Sequence, residues 1–311
     1  MKEIILANPR GFCAGVDRAI DIVEKAITKF GPPIYVRHEV VHNKLVVRSL
    51  ESKGVIFIDE LAEAPSDGIV IFSAHGVSNQ VEDEAKSRNL EYFDATCPLV
   101  SKVHHQVERY SKLGKIVLLI GHEGHPEVEG TMGRHNADHG SKIFLVQDKE
   151  EAEQLALPLD SHIGLVTQTT LSLDDTKEII EVLKKKFSNL EMPRNDDICY
   201  ATQNRQDAVK QLALESDFVI VIGSKNSSNS NRLKELAERC GTKALLVDEF
   251  QDINLELLKD CNSIGITAGA SAPEETVQEI AKNLGELFNF EIRSMGENKE
   301  NIFFKLPPEL R

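Results

Sequence analysis

The chain has 311 residues, of which 41% are hydrophobic and 28% charged, and its formal net charge is −14. That composition fits a globular core of two to three compact units, and the charge argues against nucleic acid or an anionic membrane surface as a partner, because both need clustered cations. The most apolar runs are far too short to span a bilayer, and five widely spaced cysteines do not make a disulfide framework, so free thiols in a reducing cytoplasm are expected.

The opening segment MKEIILANPR reads as a short strand and a polar turn, with no secretory signal. It leads to Cys13, and from there one pattern is written three times, aligned on Cys13, Cys97 and Cys199. Each cysteine is followed by a stretch with apolar residues at helical spacing, as in Ile20, Val23 and Ile27. Three short apolar runs then follow in each copy. The first are PIYV, IVLLI and FVIVI, the second lie in VIFIDELAE, IFLVQDKEEAE and ALLVDEFQD, and the third open IVIFSAHGVSNQ, HIGLVTQTTLSLDD and SIGITAGASAPEE. Each reads as a buried strand, which gives about three strands and three helices per copy, with the strand before the cysteine as a fourth.

Register supports one ancestral unit. His125 follows Cys97 by 28 residues and Ser227 follows Cys199 by 28, while His42 follows Cys13 by 29. In the later loops, Thr169 and Ser271 each stand 72 residues after their cysteine, and His75 stands 62 after Cys13. Strands alternating with helices predict parallel sheets, whose ligands bind beyond the carboxyl ends of the strands. The fold expected is α/β, with three pseudo-threefold-related domains in a trefoil around a central site. Their bounds are 13–96, 97–198 and 199–285, the last joined by an N-terminal strand within 1–12 and followed by a tail over 286–311.

The polar loops carry the chemistry. Three converging thiolates would hold a metal, either zinc with a fourth ligand or a 4Fe–4S cluster with one iron left open; no Cys-x-x-Cys decides between them. Cys240 and Cys261 fall outside the register and read as ordinary buried residues. His42, His75 and His125, with Ser227, Ser228, Asn229 and Ser271, offer donors suited to a phosphate or diphosphate. Ser271-Ala272-Pro273-Glu274 also reads as a capping box, and Ser78 as a helix cap. Glu127, two residues after His125, is placed to point inward and carry a proton once burial raises its pKa. Thr169 and Thr170 would relay that proton or orient a substrate hydroxyl.

The segments ANPRGFCAGV, RHEVVHN, SAHGVS, FDATCPLV, GHPEVEGT, TQTTLS, DDICYAT, GSKNSSNSNRL and TAGASAP closely resemble the 4-hydroxy-3-methylbut-2-enyl diphosphate reductase family. The resemblance implies a 4Fe–4S cluster on Cys13, Cys97 and Cys199, with one open iron. It implies a diphosphate bound by His42, His75, His125, Ser227, Ser228, Asn229 and Ser271. Glu127 would be the proton donor, and Thr169 would contact the substrate near its hydroxyl. The implied reaction is reductive loss of that hydroxyl, with electrons from ferredoxin or flavodoxin, to give isopentenyl and dimethylallyl diphosphate, the last step of the non-mevalonate isoprenoid pathway. A zinc hydrolase of a phosphorylated metabolite and a non-enzymatic iron–sulfur sensor are the competing readings.

Overall fold

A computed structural model describes residues 2–193, 196–296 and 300–311. Arg194 and Asn195 of the turn before Cys199, and residues 297–299 of the tail, lie outside the described residues. The chain begins with β1 (Glu3–Leu6) and α1 (Ala14–Phe30). The first copy continues with β2 (Ile34–Arg37), α2 (Lys44–Ser52), β3 (Val55–Ile58), β4 (Ile69–Phe72), α3 (Asn79–Ser87) and β5 (Glu91–Asp94). The second contains α4 (Pro98–Lys112), β6 (Ile116–Ile120), α5 (Pro126–Met132), β7 (Lys142–Val146), α6 (Lys149–Gln154), β8 (Ile163–Thr167), α7 (Leu173–Lys186) and β9 (Leu190–Glu191). The third contains α8 (Tyr200–Glu215), β10 (Phe218–Ile222), α9 (Ser228–Arg239), β11 (Lys243–Val247), β12 (Ser263–Ala268), α10 (Glu274–Phe288) and β13 (Glu291–Ser294).

Three parallel sheets result, with strand orders β3-β2-β4-β5, β7-β6-β8-β9 and β11-β10-β12-β1-β13. The fold is α/β, as the alternation predicts. Each sheet ends by pairing its third strand with the strand that leads to the next cysteine. For the third copy that strand is β1, so the start of the chain completes a sheet made from its end, and β13 adds a fifth strand. The apolar runs form strands because both faces are covered: every residue of Phe218–Ile222 and of Ile163–Thr167 is buried. After the second strand only the second copy makes an α-helix, α6; the others turn through 3-10 segments at Leu61–Glu63 and Phe250–Asp252.

The chain divides into two compact units. One comprises Met1–Asp17, Val41–Ser52 and Tyr200–Phe304; the other comprises Arg18–Val40, Lys53–Cys199 and Lys305–Arg311. Helix α2 belongs to the first unit because it is bonded to the third copy. Its Lys44 amide donates to Ser224 Oγ at 3.1 Å, and the Lys44 ammonium pairs with Asp248 at 2.8 Å. In the second unit α5 packs in the same manner on the first copy. A methyl added at Gly130 would lie 3.1 Å from the Gly76 carbonyl oxygen, and the buried Arg134 just beyond α5 donates to Val77 O at 2.8 Å. The second helix of one copy thus braces the last loop of another.

Candidate active site

All three repeat cysteines are partly buried thiols that stand one residue before an α-helix. Each has its amide bonded to a loop that follows the third strand of a copy. Cys13 N–H donates to Ala270 O at 3.3 Å, Cys97 N–H to Ala74 O at 3.0 Å, and Cys199 N–H to Thr169 O at 3.0 Å. Burial pushes the Cys13 thiol up, against the opposing charge of Arg205 and the amides of Val16 and Gly15 directed at its sulfur. Amides directed at a sulfur, with a cation nearby, suit a thiolate ligand. Each of the three thiols stands at a strand-to-helix junction, where a helix N-terminus favours a thiolate. Of the other two, Cys261 is buried as expected, but Cys240 is exposed at the end of α9.

In the second unit the predicted residues form one bonded series. Next to Ala74, His75 packs edge-on against His125 with ring centroids 5.7 Å apart. His125 caps α5, its Nδ1 accepting the Glu127 amide at 3.1 Å. An accepting Nδ1 carries no proton, so the neutral ring presents its N–H at Nε2. Glu127 points inward and is 3% exposed. One of its carboxylate oxygens accepts the Thr169 amide at 2.6 Å and the other the Thr169 hydroxyl at 3.0 Å. Burial pushes the Glu127 carboxyl up to about 7; the two bonds from Thr169 oppose this, and the Asp197 charge adds to it. Thr170 Oγ1 accepts from the Gln168 side-chain amide at 3.1 Å.

The first unit holds the remaining polar residues. The Ser271 hydroxyl donates to the His42 carbonyl at 2.8 Å, and His42 Nδ1 lies 3.4 Å from the Asn226 amide nitrogen. Ser227 caps α9, which begins with Ser228 and Asn229. Asn229 is 4% exposed, and neither its amide nitrogen nor its amide oxygen has a hydrogen-bond partner among the described residues. An orphaned buried amide costs about 1–3 kcal/mol per polar group and calls for an explanation such as a ligand.

One capping expectation changes. The capping box at Ser271 does not form: α10 starts after Pro273 without a side-chain cap, because the Ser271 hydroxyl is spent on His42. Ser78 does cap α3, accepting from Val81 N–H at 3.3 Å. In the first copy the residue that bonds the helix start is Asn43, next to His42, and its Oδ1 accepts from Leu45 and Val46 N–H at 3.0 and 3.1 Å.

Sequence reading missed three residues near the site. Asp197, 5% exposed, accepts the Thr167 amide at 3.2 Å and pairs with Lys102. His104, which burial drives down to about 3 and so keeps neutral, packs under the turn at Gly76, where an added methyl would lie 2.5 Å from its ring. Arg205 is fully buried. The only sequence hint was position: Asp197 lies two residues before a repeat cysteine, and Arg205 six residues after it.

Parallel sheets carrying thiols, imidazoles, hydroxyls and a raised carboxylic acid at their carboxyl ends have the make-up of an α/β enzyme. The LytB protein family model matches residues 4–285. The chain belongs to that family. It is 59% identical to the 4-hydroxy-3-methylbut-2-enyl diphosphate reductase of Saccharophagus degradans, over 99% of both chains, and 59% identical to that of Chromohalobacter salexigens, over 99% of this chain and 98% of the relative. Among solved structures it is similar to the E-1-hydroxy-2-methyl-but-2-enyl-4-diphosphate reductase of Plasmodium falciparum, with a TM-score of 0.95, 40% identity and coverage of 99% and 96%. A second, described as the terminal enzyme of the non-mevalonate pathway, gives a TM-score of 0.65 at 30% identity, with coverage of 92% and 100%. These relatives are reductases, which leaves the zinc hydrolase reading without support.

Proposed function

We infer that this chain is a 4-hydroxy-3-methylbut-2-enyl diphosphate reductase. It takes two electrons and two protons, releases the substrate hydroxyl as water, and leaves isopentenyl or dimethylallyl diphosphate. Cys13, Cys97 and Cys199 hold one 4Fe–4S cluster per chain. When bound, that cluster supplies single electrons, drawn from ferredoxin or flavodoxin, and an open iron able to polarise the substrate oxygen. His42, His75, His125, Ser227, Ser228, Asn229 and Ser271 bind the diphosphate. The orphaned Asn229 amide supports this role, since an anion with polar oxygens would accept from its nitrogen.

Glu127 and Thr169 deliver the proton. A carboxyl with a pKa near 7 keeps a substantial protonated fraction at neutral pH. Once protonated it can donate to Thr169 Oγ1, which frees the threonine proton to turn toward the substrate hydroxyl. The Glu127–Thr169 pair is the observation that carries the reading. Its test is Glu127→Gln in anaerobically prepared protein: iron content stays at the wild-type level while turnover falls by roughly 10²–10⁴-fold. Unchanged turnover would remove Glu127 from the reaction.

A further inference from the structure

Arg205, in α8, is 0% exposed and bonded on every side. Its guanidinium donates to Gly11 O at 3.1 and 2.7 Å, to Phe12 O at 3.2 Å and to Ala201 O at 3.0 Å. It also meets both carboxylate oxygens of Glu300, at 3.0, 3.2 and 3.3 Å. Glu300 is itself largely buried and accepts from Asn204 at 2.8 Å. Gly11 and Phe12 are the two residues before Cys13, and Gly11 has a φ of +68°, so the turn that presents the thiol is held by its carbonyls from behind. A buried ion pair is poor value for stability, since desolvation offsets most of the attraction. Its placement is the informative part.

We propose that the Arg205–Glu300 pair is a positioning device for Cys13, and that its two opposed charges set the electron affinity of the group Cys13 holds. This rests on the reading of Cys13 as a cluster ligand. The planar fork spans two successive carbonyls, which a lysine ammonium cannot reproduce. Opposite charges beside the Gly11–Phe12 turn act in opposite senses on negative charge gathered at Cys13: Arg205 favours it and Glu300 disfavours it. Arg205 alone would ease the arrival of an electron, and Glu300 alone would resist it. Removing either charge should therefore shift the potential in the opposite sense to removing the other.

The test is a redox titration of anaerobically prepared holoprotein, followed spectroscopically, with iron and sulfide counted in each sample. Glu300→Gln should retain its iron and raise the midpoint potential, with the reduced-to-oxidised ratio at the wild-type midpoint increasing about tenfold, ~59 mV for one electron. Arg205→Gln should lower it by a similar factor, and the double variant should fall between the two. Arg205→Lys should keep a potential near wild type but lose iron faster to a chelator. A purely structural role would cost iron without shifts of opposite sign. Shifts of the same sign, or none, overturn the proposal. If Arg205→Gln holds no iron, Glu300→Gln decides alone: a rise supports the proposal and no change overturns it. A wild-type protein lacking iron and sulfide would instead sink the cluster reading itself.

Discussion

Glu127 carries the chemistry through its environment more than through its identity. Burial raises its pKa from 4.5 to about 7. A carboxyl whose folded pKa exceeds its unfolded one adds stability below the unfolded value, and that contribution is lost as pH rises through the folded value, here between 4.5 and about 7. Turnover limited by this acid should therefore decline as pH rises past about 7, and a pH–rate profile would reveal that limb. Glu127→Gln removes the cost of the buried anion. Without ligand, this variant should melt higher than wild type at pH 8, by up to ~3 kcal/mol, and the advantage should vanish near pH 4.5. At this scale the sequence was legible where register spoke. The cysteines and Thr169 stood at repeat positions and Glu127 two residues after one, whereas Arg205 and Asp197 look like ordinary solvated charges until distant segments bury them.

Helices and strands meet through small residues at matching places. A methyl at Gly164 in β8 would lie 2.3 Å from the Tyr110 ring of α4, and one at Gly265 in β12 would lie 2.7 Å from Leu212 of α8. Both glycines let the helix after a cysteine lie close on its sheet. Gly164→Ala and Gly265→Ala should each cost about 1–3 kcal/mol in thermal or denaturant unfolding, as overpacking does. The apolar runs announced every one of these strands, because strands covered on both faces have few polar positions. Helix starts were less legible. Ser78 and Ser271 look alike in sequence, yet only Ser78 caps a helix, since the other hydroxyl is claimed by a carbonyl 229 residues away in the chain. No local pattern encodes that competition.

Across the whole molecule, a threefold repeat yields three parallel sheets, and the first strand of the chain completes the last sheet. The repeat was readable because each copy keeps its cysteine and its polar loops, with matched spacing in the second and third. The fifth strand β13 was not, since Glu291–Ser294 is exposed throughout and lacks a buried-strand pattern. No helix among the described residues is long and apolar enough to cross a membrane. Equivalence among the three cysteines makes a direct comparison possible: Cys13→Ser should lose iron and activity together, while Cys240→Ser, exposed at a helix end, should lose neither. Equal effects would dissolve the distinction between repeat and non-repeat cysteines. The most direct test of the account is to measure iron, acid-labile sulfide and reduction of 4-hydroxy-3-methylbut-2-enyl diphosphate in one anaerobic sample of the full chain. About four iron and four sulfide per chain, with isopentenyl and dimethylallyl diphosphate formed, is the predicted result; a single zinc, no sulfide and no reduction would contradict it.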